Sequence, residues 1–328
     1  MLKIELAEAV GQLKKINAKK IFLQIPEGLK TNVDTIVEEL EFEGFEIITS
    51  MDPCFGACDI KENEAKALGC DAILHIGHSA FLEKTKLPVI YATLRYDLGE
   101  NFAEVSKVLE KYLKKNEIEA VGLTTTAQFV EYLPKLKRAL EKNKIKAIIG
   151  KGKRVLDGQV LGCNYSPANV QPQTIIFFGD GLFHPLGISY ATGKRVIIAN
   201  PFTKEIKELH EEKENFIRQR IMLIEKAKEG KEFGILVSTK EGQNRATLAK
   251  KIKELLELAG KKAKIYSMDN ISKESLLGAK AEVLINTACP RLAFDDFSSF
   301  KQPILNSNEI GLLLGKKKYE DYFIEEIY

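Results

Sequence analysis

Short apolar runs rich in β-branched residues alternate along the chain with charged segments whose apolar positions recur at helical spacing. The runs are 21–25 (IFLQI), 45–49 (FEIIT), 72–76 (AILHI), 89–93 (VIYAT), 120–125 (AVGLTT), 146–150 (KAIIG), 174–179 (TIIFFG), 195–200 (RVIIAN), 233–239 (FGILVST), 263–268 (AKIYSM), 282–288 (EVLINTA) and the weaker 303–307 (PILNS). Runs of this length between helical patterns predict buried parallel strands joined by helical crossovers. The runs fall into sets of four, each led by an amphipathic segment that predicts a helix, at 4–16, 103–115 and about 204–228. A similar polar turn follows the first strand of each set: PEGLKT (26–31), TTAQFV (125–130) and STKEGQ (238–243). The repeat predicts an α/β fold of three homologous parallel-sheet domains related by duplication, at residues 1–98, 99–202 and 203–328.

Composition narrows the class. The 328 residues are 45% hydrophobic and 29% charged, as expected of a soluble globular protein. No window approaches the roughly 18 apolar residues of a membrane span, and the first 20 residues lack a signal-peptide apolar core. A cytoplasmic protein is expected. The net charge of +3, from 49 basic and 46 acidic residues with the signs interspersed, gives no nucleic-acid footprint. The lysines at 316–318 read as a solvated face.

Five cysteines, an odd number spread thinly, argue against a disulfide framework. Ligands of open α/β sheets collect outside the carboxyl ends of the strands. Cys58 and Cys163 each follow the second strand of their set, and Cys289 stands at the end of the third strand of the last set, so each domain places one cysteine in a strand-end loop. Cys54 and Cys58 form a C-x₃-C pair, half a zinc site without a second half, and no C-x-x-C redox pair is present. Cys70, just before the run at 72–76, reads as a packed thiol. His75 and His78 suggest a Cys–His metal reading as a minor alternative; His75 lies within that strand, while His78 falls past its end, where it can face a ligand. GISYATGKR (187–195) has the wrong spacing for a phosphate loop, and GDGLFHPLG (179–187) has His184 where a dinucleotide motif needs glycine. Three converging thiolates suit zinc or an iron–sulfur cluster. A [4Fe–4S] cluster normally takes four cysteines, so three leave one iron open. The plain alternative is three unrelated structural cysteines.

The motifs FGACD (55–59), LGCDA (68–72), HIGHS (75–79), TTAQ (125–128), GQVLGCN (158–164), FHPLG (183–187), STKEGQ (238–243) and ACPR (288–291), with DD at 295–296, resemble those of the archaeal diphthamide-synthesis family. This is the Dph1/Dph2 type, 2-(3-amino-3-carboxypropyl)histidine synthase. The resemblance runs in order over most of the chain. It implies three α/β domains in a triangular arrangement around a central iron–sulfur site, in a homodimer, with a [4Fe–4S] cluster held by Cys58, Cys163 and Cys289. It leaves Cys54 unexplained and Cys70 structural. The implied transferase reaction cleaves the Cγ–S bond of S-adenosylmethionine and transfers the 3-amino-3-carboxypropyl group, as a radical, to a histidine of translation elongation factor 2. That chemistry needs an external electron donor. The absence of the compact C-x₃-C-x₂-C motif of standard radical enzymes agrees with it. Gly179, Gly181 and His184 of the second domain, and Ser238, Thr239, Gln243 and Arg291 of the third, become candidate contacts for S-adenosylmethionine. The rival readings are a quinolinate synthase-like dehydratase, which also holds a cluster by three cysteines, and a non-enzymatic iron–sulfur sensor.

Overall fold

The computed structural model describes residues 2–327, and each of the twelve apolar runs forms a strand. The three sheets share one order. In the first, Glu46–Thr49, Lys20–Gln24, Ala72–Ile76 and Val89–Ala92 lie side by side; in the second, Lys146–Ile149, Ala120–Thr125, Thr174–Phe178 and Arg195–Ala199; in the third, Lys262–Met268, Glu232–Ser238, Val283–Asn286 and Ile304–Asn306. All these pairs are parallel. Each sheet therefore runs second, first, third, fourth, and its order reverses beside the first strand, where a ligand crevice is expected.

The three similar turns fold alike. Each becomes a 3₁₀ helix, Glu27–Asn32, Ala127–Tyr132 or Glu241–Gln243. The lead helices bury one stripe each: Leu6, Val10 and Leu13 on Leu6–Lys15, and Val105, Leu109 and Leu113 on Glu100–Lys115. Their i, i+3/i+4 spacing is that of an amphipathic helix on a sheet.

Two departures from the predicted layout concern edges. Leu2–Ile4 pairs antiparallel with Leu94–Tyr96 as a two-stranded ribbon. Ile206–Glu208 pairs antiparallel with Arg195–Ala199 as a fifth strand of the second sheet, and the third lead helix starts only at Glu211, not near 204. A division at 202/203 would thus cut the second sheet from its edge strand. Three residues in a charged stretch carry too short an alternation to signal a strand.

The cores join the units unequally. One continuous apolar core holds Phe177, Ile188 and Val196 of the second unit with Ile224, Phe233 and Ile235 of the third. The first unit keeps a core of its own around Leu13, Ile21, Leu23 and Leu74. Behind the last strand, Arg220, 1% exposed, grips Glu309 through two hydrogen bonds of 2.6 and 2.8 Å and donates to the Ile304 carbonyl at 3.0 Å. That pairing fixes the helix Glu211–Lys228 against the end of the third sheet.

Candidate metal centre

Cys58, Cys163 and Cys289 each keep some solvent contact, whereas Cys54 and Cys70 are buried. The first three also act on one another. Burial pushes the Cys163 thiol up, and the nearby Cys289 and Cys58 push it further. Cys289 is pushed up to about 12 by burial and then by Cys58. Three thiols from three sheets thus lie within electrostatic reach of one another at the strand ends, and burial makes each resist ionising. Such a set binds as thiolates only when a cationic group arrives to compensate the charge.

Each thiol is positioned differently. The turn Glu241–Gln243 of the third unit closes on Cys58: the Gly242 amide donates to the Cys58 carbonyl at 3.1 Å, and the Gln243 amide donates to Cys58 Sγ at 3.3 Å. A Cβ on Gly242 would stand 2.6 Å from Cys58 Cβ, so glycine is required by the close approach. Burial raises the Cys58 thiol, and the Gln243 hydrogen bond opposes that rise. Cys163 is held through its backbone, where the Ile327 amide donates to its carbonyl at 2.6 Å and Glu326 accepts from the Tyr165 amide at 2.6 Å. Asn286 donates to the Cys289 carbonyl at 2.7 Å.

Around Cys58 the seam between the first and third units is polar. Lys240 lies 3.3 Å from Asp59 and 3.0 Å from Asp269, and Lys61 lies 3.4 Å from Asp59 and 2.5 Å from Asp269. Lys240, Lys61 and Asp59 are buried. Burial raises the Asp59 carboxyl despite both lysines. Asp269 is lowered: burial alone would raise it, but hydrogen bonds from Lys61 and Lys240 prevail.

The residues singled out in the sequence separate into groups. Gln243 lies against Cys58. His184 stacks on Phe177 at 5.8 Å and feels Arg291 of the third unit; burial first, then that guanidinium, push it down to about 4. Arg291 bonds Asp295 at 2.7 Å and covers the Phe183 ring at 4.8 Å. A Cβ on Gly162 would strike that ring, so His184, Arg291 and the Cys163 loop share one junction. Ser238 points into its own loop, where its hydroxyl donates to the Asp269 carbonyl at 3.3 Å and accepts from the Lys240 amide. Thr239 is exposed and reaches Asp269 at 3.4 Å. Gly179 is buried against Phe177, and Gly181 turns the chain with φ +79°. Cys70 packs with Phe22, Ile60 and Ile73.

Sequence reasoning missed Lys61, Lys240 and Asp269, and also Glu326 and Ile327. No motif marks them, although the alternation of charge within DIK (59–61) and STKEG (238–242) is visible afterwards. It raised a Cys–His metal reading for His75 and His78 without naming Cys54 as their partner: one ligand atom from each of the three lies within 4.8 Å of the others.

No helix among the described residues is long and apolar enough to cross a membrane. The chain matches the diphthamide synthesis protein family over residues 25–324. It is 38% identical to 2-(3-amino-3-carboxypropyl)histidine synthase of Pyrococcus horikoshii over 98% of this chain and 92% of that one. It is 32% identical to the synthase of the same name from Methanocaldococcus jannaschii, over 97% and 90%. It is also similar to the crystal structure of Dph2 from Pyrococcus horikoshii with a 4Fe-4S cluster: the TM-score is 0.91 at 36% identity, covering all of this chain and 95% of the other. A match of this extent, on a shared fold and with the motifs in order, settles the relationship: the chain belongs to the diphthamide synthesis protein family.

Proposed function

We propose that this chain is a 2-(3-amino-3-carboxypropyl)histidine synthase that acts on a histidine of translation elongation factor 2, with S-adenosylmethionine as the group donor. The observation that carries the reading is the convergence of Cys58, Cys163 and Cys289 from three sheets in a family whose solved relative holds a 4Fe-4S cluster. The donor set fits such a group: three soft sulfur ligands, half-buried, with Gly242 and Gln243 packed against one of them. Bound there, the cluster supplies one electron and one open iron.

The chain's own residues bind and orient. Cys58, Cys163 and Cys289 are the ligands, and Gln243 hydrogen-bonds the Cys58 sulfur. Arg291 and His184 stand nearest the junction beside Cys163 and Cys289, where a guanidinium suits the carboxylate of the methionine end. Gly179 and Gly181 keep backbone open at the end of the second unit's third strand. Ser238 and Thr239 support the loop that carries Gln243, and a direct contact with the cosubstrate is their further proposed role. In the overall reaction one electron enters the sulfonium as the Cγ–S bond breaks and methylthioadenosine leaves. The carbon radical adds to an imidazole carbon, which then gives up one electron and one proton. The net transfer needs an electron donor to start it. We place the enzyme in the cytoplasm as a homodimer.

Anaerobic reconstitution, reduction with dithionite, and addition of S-adenosylmethionine and archaeal elongation factor 2 test this reading. The expected products are methylthioadenosine and a factor heavier by one 3-amino-3-carboxypropyl group. An intact, reduced cluster that leaves both substrates unchanged refutes it. Replacing Cys58, Cys163 or Cys289 by alanine is expected to impair cluster loading, and Cys70→Ala is not.

A further inference from the structure

The fold gives Cys54 partners that its sequence neighbours do not supply. The strand Ala72–Ile76 ends at Gly77, whose φ of +87° turns the chain so that His78 comes back over His75. The two rings lie 5.1 Å apart, and His75 Nε2 stands 2.9 Å from His78 Nδ1. The loop at 50–61 lays Cys54 beside them, completing a group whose three ligand atoms lie within 4.8 Å of one another. His75 is 0% exposed, and its Nδ1 has no hydrogen-bond partner. The pair presents His75 Nε2 and His78 Nδ1 side by side, and the bare Nδ1 is a separate buried group outside that contact.

We propose that Cys54, His75 and His78 form a second metal site, separate from the three-cysteine centre, that takes a single zinc-class divalent ion. One thiolate and two imidazoles are a borderline-soft donor set of the kind zinc accepts, and three protein ligands leave a fourth position for water. Zinc–nitrogen bonds of about 2.0–2.1 Å place two tetrahedral nitrogens roughly 3.3 Å apart. The observed 2.9 Å opens to that separation by a few tenths of an ångström. Zinc takes neutral imidazoles and a thiolate, so binding is expected to release the Cys54 proton. The bound ion ties the loop at 50–61 to the end of the strand Ala72–Ile76. Cys58 sits on the same loop, four residues on, so the site positions a ligand of the neighbouring centre.

The test uses the full chain, once with its cluster reconstituted and once as the variant Cys58→Ser/Cys163→Ser/Cys289→Ser. Zinc is measured by equilibrium dialysis and mass spectrometry, and cobalt(II) by absorption. The expected result is one zinc per chain in both proteins. Cobalt is expected to give tetrahedral d–d bands and a thiolate-to-metal charge-transfer band in the triple variant. Cys54→Ser, and independently the half-buried His78→Gln, are expected to weaken binding at least tenfold while circular dichroism stays native. X-ray absorption of the zinc-loaded triple variant is expected to give one sulfur and two imidazole nitrogens, a readout that requires no change at the site. The proposal is overturned by an absence of zinc in both proteins, by zinc that disappears in the triple variant, by binding that survives Cys54→Ser, or by a sulfur count other than one.

Discussion

Two seams meet at the three-cysteine centre, and they are built from opposite materials. The second and third units share a single apolar core through Phe177, Phe233 and Ile235. The first and third are joined beside Cys58 by Lys61, Lys240, Asp59 and Asp269, with the Gly242 and Gln243 contacts. An apolar seam is tolerant of small shifts and gains from every buried methylene. A buried polar seam is stable only while every charge keeps its partner. Cys163 and Cys289 therefore stand on one welded body, and Cys58 arrives on an element whose alignment depends on a few directional bonds. The sheets repeat with one strand order, but the cysteines do not repeat with them. Two lie on the connection between second and third strands, and one at the end of a third strand. The threefold likeness belongs to the scaffold, and the three proposed ligands stand at non-equivalent positions.

The apolar seam breaks hardest. Phe177→Ala removes a fully buried ring from the shared core and from the face of His184. The expected loss is about 3–5 kcal/mol, measured by urea unfolding. Fluorescence and circular dichroism should still follow one transition for the second and third units. In the cluster-free protein, Cys163 and Cys289 should then alkylate faster while Cys58 keeps its rate.

The opposite pattern is expected of the polar seam. Lys240→Met leaves Asp59, 1% exposed, with Lys61 as its remaining cation. The loss of one partner from a buried pair costs about 3 kcal/mol. Mass spectrometry of alkylated thiols should find Cys58 labelled several-fold faster, with Cys163 and Cys289 unchanged. Equal acceleration of all three would show that the two seams act as one.

Much of this frame was legible in the sequence, and the reason is physical. Buried parallel strands are written as continuous apolar runs, so every parallel strand of the three sheets could be read, together with the polar turns that become 3₁₀ helices. The placing of Cys58, Cys163 and Cys289 in strand-end loops was legible because the strands before them are written as apolar runs. The edge strand Ile206–Glu208 was not, since antiparallel pairing at an edge needs no apolar run. Nor was the joining of Cys54 to His75 and His78, since the cysteine lies 21 residues before the nearer histidine and no motif spacing links it to the pair. The polarity of the seam was hidden because Lys61 and Lys240 look like surface lysines until a second unit covers them. Gln243 stood out in the polar turn at 238–243, but its position against Cys58 depends on how two units dock.

Acid distinguishes the seams further. The His184 pKa in the folded protein lies near 4, below the ordinary 6.5, because of burial and then Arg291. Its contribution to stability is present above the unfolded pKa and is lost as pH falls from 6.5 toward 4. Between pH 7 and pH 5 this amounts to at most about 2 kcal/mol. Across the polar seam Asp59 is raised and Asp269 lowered, so the two act on acid stability in opposite senses. Chemical denaturation at the two pH values should find that the wild-type chain loses about 2 kcal/mol more than His184→Leu. An identical loss in both would remove His184 as the acid-sensitive element of the apolar seam.

The smallest effect falls on the single hydrogen bond that crosses the polar seam to sulfur. Gln243 donates to Cys58 Sγ at 3.3 Å, and such a bond favours the more negative, reduced state of an iron–sulfur centre. Gln243→Leu keeps the volume and removes the donor, so iron content and the absorption of the reconstituted protein should stay within error of wild type. The reduction potential should move downward by about 20–60 mV, the one-electron equivalent of a hydrogen bond worth roughly 0.5–1.5 kcal/mol. Redox titration followed by electron paramagnetic resonance measures this directly. A variant with lower iron loading and an unchanged potential would assign Gln243 to the docking of the seam. A shifted potential at full loading assigns it to the sulfur, and then the polar seam both aligns Cys58 and sets the electron affinity of the centre it serves.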